Sequence, residues 1–393
     1  MSWRGSFALC LLLLGACQRT PPPAPVAPEP CVLPPAPVAA APAPAPLAPC
    51  HAQRELPLPA ALRLLEEGSP LEALSCAAQA SALEPDDAVA HAARGDALAT
   101  LGRHAEAQLA YARALALDPG LPDALLGAAR LYGLLLPSSR ENDELAALYA
   151  ERGLTEAVKD PESLASFALL AAVAYNDLGL AEEALSHASL VLAREPAHRE
   201  AAYERALALF ELCRFAEAKV AFSALLEDVT QGAHAHHHLG LLLEREGRWK
   251  QAQAHFDKAR ALAPTEFPLP PLPSEEEFRV AVERAVAALP EDMRRDLSGV
   301  PVRAEELPTE EDLLSGQPPL SPAILGLFRG PPLDEPCEGL ETPCRSVALY
   351  RRNLARVVRT REELLEQIEM TLLHEVGHLR GEDDHELAAR GLE

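Results

Sequence analysis

Apolar and polar positions change rhythm several times along the chain, and each change marks a segment. Phe7 to Leu14 is an unbroken apolar run. From Pro21 to Pro49 there is neither helical nor strand periodicity. Between residues 58 and 265 apolar residues recur at the three-and-four spacing of amphipathic helices, interrupted by Gly, Pro and charged turns. Beyond 274 the pattern is mixed. Ser274-Glu275-Glu276-Glu277 reads as a helix start, and Phe278, Val282, Val286 and Leu289 give that helix one apolar face. Val300–Val302, Ile324–Phe328 and Val347–Tyr350 read as short strands between Pro-, Gly- and acid-rich loops. A last long helix opens at Thr360-Arg361-Glu362-Glu363, a capping-box pattern, with Leu365, Ile368, Leu372, Val376 and Leu379 at helical spacing. The pattern predicts a mainly α protein, an α-solenoid followed by a small α+β domain.

The helical stretch repeats itself. Pro85 and Pro119 are 34 apart, Pro161 and Pro196 are 35 apart, and Pro196 and Pro264 are 68 apart with Thr230 midway. Inside the units, Gly95, Ala107, Tyr111 and Ala114 share offsets with Gly240, Ala252, Phe256 and Ala259, and with Ala206, Ala218, Phe222 and Leu225. Small residues let paired helices approach, and the aromatic fills the gap beside them. The interval from Pro119 to Pro161 is 42 residues, which places an insertion around Pro137-Ser138-Ser139-Arg140. This period resembles the tetratricopeptide repeat and implies about six helical hairpins over residues 58–265, with a concave surface that binds a protein or peptide. His234, His236, His237 and His238 cluster in one repeat. His236 falls at a packing position that matches His91, the others read as exposed, and His234 with His238 could take up a divalent metal adventitiously rather than as a functional site.

The candidate chemistry lies in the last helix, which carries His374-Glu375-Val376-Gly377-His378. Two histidines four apart project from one helical face and can hold one cation, usually Zn²⁺. Glu375, one position round, is placed to act as general base. Gly381 lets the chain leave the helix in a left-handed conformation, so that Asp384 returns as a third ligand; His385 is its rival. Residues 274–393, with Ala288-Leu289-Pro290, Ile324–Gly330 and Val347–Arg352 beside this helix, resemble the small bacterial zincin-like metallopeptidases of the H-E-x-x-H-x-x-G-x-x-D type. That resemblance implies one Zn²⁺ on His374, His378 and Asp384, with Glu375 catalytic in peptide-bond hydrolysis. No methionine follows Asp384 to make the Met turn of larger metzincins. Tyr350 or an arginine of the 351–356 segment is the candidate for stabilising the oxyanion.

Composition sets the context. A formal net charge of -24 over 393 residues excludes nucleic acid as a partner. Arg4, the apolar run and Leu14-Gly15-Ala16-Cys17 resemble a bacterial lipoprotein signal, residues 1–16, with lipid attached to Cys17. By resemblance to Gram-negative lipoproteins, Gln18 after that cysteine implies outer-membrane sorting, with the protein facing the periplasm. Residues 17–57 then read as a tether: 13 prolines between Pro21 and Pro49 favour extended polyproline II, which reaches up to roughly 120 Å. An oxidising compartment permits a Cys337–Cys344 disulfide and a Cys31–Cys50 pair, while Cys76 and Cys213 read as buried thiols. The sequence reads as a membrane-anchored zinc metallopeptidase whose repeats recruit a protein. The alternative is a non-enzymatic repeat scaffold with a structural zinc.

Overall fold

Six antiparallel helical hairpins follow one another in a computed structural model that describes residues 49–50, 55–156, 161–337 and 343–392. They pair α1 (Pro57–Glu66) with α2 (Pro70–Leu83), α3 (Ala88–Thr100) with α4 (His104–Leu117), and α5 (Pro122–Arg130) with α6 (Arg140–Glu156). They continue with α7 (Pro161–Asp177) and α8 (Ala181–Arg194), α9 (Arg199–Glu211) and α10 (Phe215–Ser223), and α11 (Gly232–Arg245) and α12 (Trp249–Leu262). The third hairpin holds the insertion: α5 passes into a π-helical turn, Leu131–Leu135, before the chain reaches α6.

The repeat positions do what their sizes dictate. A methyl group added to Gly95 would lie 2.5 Å from the Tyr111 ring, and one added to Gly240 would lie 2.4 Å from Phe256. Ala107, Ala114, Ala206, Ala218, Ala252 and Ala259 are fully or almost fully buried. Close helix approach leaves no room for larger residues there.

The histidine cluster differs from its expected exposure. His238 stacks on Phe222 with ring centroids 4.6 Å apart, and its Nδ1 meets the His234 carbonyl at 2.9 Å. His237 stacks on Phe267 at 4.6 Å, and His234 packs edge-on to Tyr203. Aromatic side chains of α9, α10 and the segment after α12 offer these rings packing partners that a single-helix pattern cannot reveal. Only His236 meets another histidine across helices, with its Nδ1 2.9 Å from that of His255.

The terminal domain begins at Ser274, whose side chain and that of Glu277 form a capping box. Its elements are α13 (Glu275–Ala288), α14 (Glu291–Asp296), β1 (Val302–Glu305), α15 (Glu310–Leu313), β2 (Gly326–Arg329), β3 (Ser346–Tyr350), α16 (Arg351–Arg356), α17 (Arg361–Leu379) and α18 (Asp384–Ala389). The sheet order is β1-β3-β2, with β1 parallel and β2 antiparallel to β3. The first strand starts where its predicted run ends, because the Val300 N–H closes a turn on Leu297 and Pro301 has no N–H to give a ladder. Val347 and Leu349 of the sheet meet Phe278 and Val282 of α13 and Leu364, Ile368, Leu372 and Val376 of α17. Leu364 fills the core place expected of Leu365, which is exposed. The row 364-368-372-376 is the true four-residue ridge.

Solenoid and terminal domain lie within one compact unit, Ala48–Glu393. Their seam is ionic at its centre. The buried Glu244 of α11 pairs with Arg352 at 2.8 Å and with Arg356, and these guanidinium groups lie over Trp249 and Phe256. Among the described residues two disulfides are present, Cys50–Cys76 and Cys337–Cys344. The second was expected. The first corrects the expected Cys31–Cys50 pair and the expected Cys76 thiol: α2 brings Cys76 within 4.6 Å of Cys50, Cα to Cα, although 26 positions separate them. Cys17, Cys31 and the expected tether as far as residue 48 lie outside the described residues, whereas towards its end Cys50 is in the disulfide and Pro57 opens α1.

Candidate metal centre

Helix α17 is set up by its start and its core face. Thr360 and Glu363 cap it, and Ile368, Leu372 and Val376 fasten it under the sheet. The opposite face therefore presents His374 and His378 together, with Nε2 atoms 3.0 Å apart. The helix ends at Leu379, and Gly381, at φ +90°, turns the chain back. Asp383 is used as the cap of α18, so the next residue, Asp384, is the one that reaches the histidines. Its Oδ1 lies 3.1 Å from His378 Nε2 and 3.5 Å from His374 Nε2. These three donors lie within 4.8 Å of one another, and His385 is not among them.

The donor set fits a dication. His374 Nδ1 meets the Leu392 carbonyl at 2.6 Å, and His378 Nδ1 meets the Glu382 carbonyl at 3.0 Å. A carbonyl only accepts, so each Nδ1 carries the proton and each Nε2 presents a lone pair. Two lone pairs and a carboxylate thus converge with no hydrogen between them. A cation resolves that convergence, and two imidazoles with one carboxylate suit Zn²⁺ with a coordination position to spare.

Glu375 is buried on the same helix. Burial pushes its carboxyl up to about 7, against the pull of His374 and of the Phe328 N–H, which donates to it. That N–H comes from β2, whose outer edge faces α17. Gly326, the first residue of β2, makes the approach possible: a methyl group there would lie 2.8 Å from Glu375 Oε1 and 2.7 Å from Thr371 Cγ2. Gly377, inside the motif, has a comparable task. A methyl group on it would lie 2.3 Å from the fully buried Leu387 of α18, so its bareness lets the helix carrying Asp384 dock. Neither glycine stands out in the sequence, because each answers to a partner from another element.

The centre opens on a cleft of about 590 Å³, whose walls include Leu320, Ile324, Leu325, Phe328, Met370 and Leu392. The expected oxyanion group is not in it. Tyr350 is fully buried, with its hydroxyl near Arg329 and Asp312. Arg351, Arg352 and Arg356 are committed to Glu306 and Glu244. None of these four residues lines the cleft. The segment after α18 returns to hold His374 through the Leu392 carbonyl.

Residues 297–392 match the family described as zincin-like metallopeptidase, and residues 88–121 and 233–266 match the tetratricopeptide repeat. The chain joins tetratricopeptide repeats to a C-terminal zincin-like metallopeptidase domain. Among solved structures, it is similar to YrrB, a TPR protein with an unusual peptide-binding site (20% identity, 48% of this chain and 93% of that one, TM-score 0.40). It is also similar to Pseudomonas aeruginosa pilF (18% identity, 53% and 91%, TM-score 0.44) and to PilW, a type IV pilus biogenesis factor (18% identity, 53% and 93%, TM-score 0.43). No curated protein matches it.

Proposed function

We propose that this protein is a zinc-dependent peptidase, more specifically an endopeptidase, held at the cell envelope by a lipid on Cys17. The carrying observation is the convergence of His374 Nε2, His378 Nε2 and Asp384 Oδ1 beside the buried Glu375. His374, His378 and Asp384 would hold the zinc, which when bound supplies Lewis-acid polarisation of a peptide carbonyl and acidifies water. Glu375 takes a proton from the attacking water as oxygen bonds to the carbonyl carbon. It then returns that proton to the leaving nitrogen as the C–N bond breaks, so the carboxylate is regenerated. The Phe328 N–H holds the carboxylate at the cleft floor during both transfers. The repeats would recruit the protein substrate or a partner, and the proline-rich tether would set the distance from an outer membrane.

The test uses the purified, detergent-solubilised protein and its Glu375→Gln variant. One zinc per chain in both, with casein cleavage only by the unaltered protein, supports the reading. Equal cleavage by both would refute the role of Glu375, and zinc without cleavage in either would favour a repeat scaffold with a structural metal. Cys17→Ser is expected to move the protein from the membrane to the soluble fraction.

A further inference from the structure

Five hairpin turns of the solenoid place one residue in the left-handed region. In four of them it is glycine: Gly68, Gly102, Gly179 and Gly247, with φ between +70° and +73°. The α9–α10 turn has Cys213 instead, at φ +57°, the one non-glycine residue with positive φ among the described residues. A side chain in this conformation clashes with its own backbone, and such strain persists where the side chain has a task. The periodicity makes the exception plain, since Cys213 stands 34 residues after Gly179 and 34 before Gly247.

The Cys213 side chain leaves the solenoid. Its Sγ lies 3.8 Å from the Leu320 carbonyl of the terminal domain and 3.9 Å from the Glu211 carbonyl of its own turn, so it bridges the two. Two residues earlier, the Glu211 carboxylate accepts a hydrogen bond from the Ser321 hydroxyl, the same hydroxyl that accepts from the Ala323 N–H at 3.1 Å. The far end of this segment is tied within its own domain, where Asn353 Nδ2 donates to the Pro322 carbonyl at 3.0 Å and to the Ile324 carbonyl at 2.8 Å. The segment held from both sides is a wall of the metal cleft, which includes Leu320, Ile324 and Leu325.

We propose that Glu211 and Cys213 are positioning residues for the cleft: the α9–α10 turn of the solenoid holds the Leu320–Leu325 wall where a substrate side chain must fit. The repeats then do more than recruit. They form part of the frame of the cleft, and a ligand that bends the fifth hairpin changes the fit at the metal centre. This rests on the peptidase reading for its consequence in catalysis, but its structural core does not.

Amide hydrogen exchange on the full zinc-loaded chain tests it. In Glu211→Ala/Cys213→Ala, amides of residues 320–325 are expected to exchange fivefold or more faster, while those of α9, α10 and α17 keep their rates. Cys213→Ser, which retains a donor, is expected to stay close to the unaltered protein. Cys213→Gly, the residue of the other four turns, removes the strain and the contact together and guards against a variant that fails to fold. Unchanged exchange at 320–325 in Glu211→Ala/Cys213→Ala and in Cys213→Gly would overturn the proposal. With a cleavable peptide, KM is expected to rise severalfold at unchanged kcat; a loss confined to kcat would also count against it. If no peptide is cleaved by any form, the peptidase reading fails, and the exchange rates still decide whether the turn positions the wall.

Discussion

Gly326 shows how much of the centre depends on an atom that is missing. Its bare Cα admits the Glu375 carboxylate to the edge of β2, where the Phe328 N–H receives it. Gly326→Ala should leave zinc at one per chain but lower kcat about tenfold or more, because a 1 Å displacement of a catalytic group is enough for that. A double-mutant cycle with Glu375→Ala, read by denaturation, checks the contact without any assay of activity: the cost of Gly326→Ala should shrink when Glu375 is gone. Histidines of the solenoid carry a second prediction. Burial lowers His238 to about 4 and His237 to about 3. Their folded values lie below the unfolded 6.5, so between about pH 6.5 and 4 the unfolded chain binds more protons and stability falls as pH falls. His238→Phe, which keeps an aromatic ring beside Phe222, should remove about 1 kcal/mol per pH unit of that slope. An unaltered slope would show that the ring is solvated. Glu204, raised to about 7 by burial, acts in the opposite sense, so the comparison must be between variant and parent. At this scale the shared face of His374 and His378 was legible because four-residue spacing on a helix is local. Gly326, Gly377 and the packed histidines were not, because what they meet comes from elsewhere in the chain.

Elements were legible where the pattern is long. Six hairpins, the insertion in the third and the metal helix all follow from periodicity and from their caps. Short elements slipped. Strand β1 was displaced by Pro301, and the ridge of α17 runs through Leu364 because two adjacent leucines gave the pattern a choice. Helix α18 is the instructive case. Only six residues long, it is held by Leu387 against Gly377 and by its Asp383 cap, and it delivers Asp384. Gly377→Ala should push α18 outward and weaken zinc binding about 10–100-fold, in the manner of a lost supporting contact, with competition against a chelator as the measure. At the start of α17, Thr360→Ala should cost about 1 kcal/mol of stability with zinc content unchanged.

On the scale of the whole molecule, the solenoid and the terminal domain are joined by a buried acid. Glu244 faces both Arg352 and Arg356, so Glu244→Ala would leave Arg356 without a carboxylate in the seam, while Arg352 keeps Glu306. The expected cost is about 3–5 kcal/mol, with the single thermal transition splitting into two in calorimetry. At the other end, the Cys50–Cys76 disulfide ties the chain before α1 to α2. Closing a loop of 26 positions stabilises by about 3 kcal/mol, so reduction should lower the melting temperature of the first hairpin. Neither connection could be read from the sequence. Glu244 is one acid among many, and the partner of Cys50 is decided by which helix passes it.

The arginines over Trp249 and Phe256 also have a meaning for assembly. A solenoid ends in a face that its own next repeat would have covered, and here the terminal domain covers it. A chain cut between Leu262 and Ser274 would bare those rings at one end of a stack whose other end offers repeat-like helices. Head-to-tail growth of such fragments does not close into a ring by symmetry, so the released solenoid is expected to form open chains whose length rises with concentration, while the uncut protein does not.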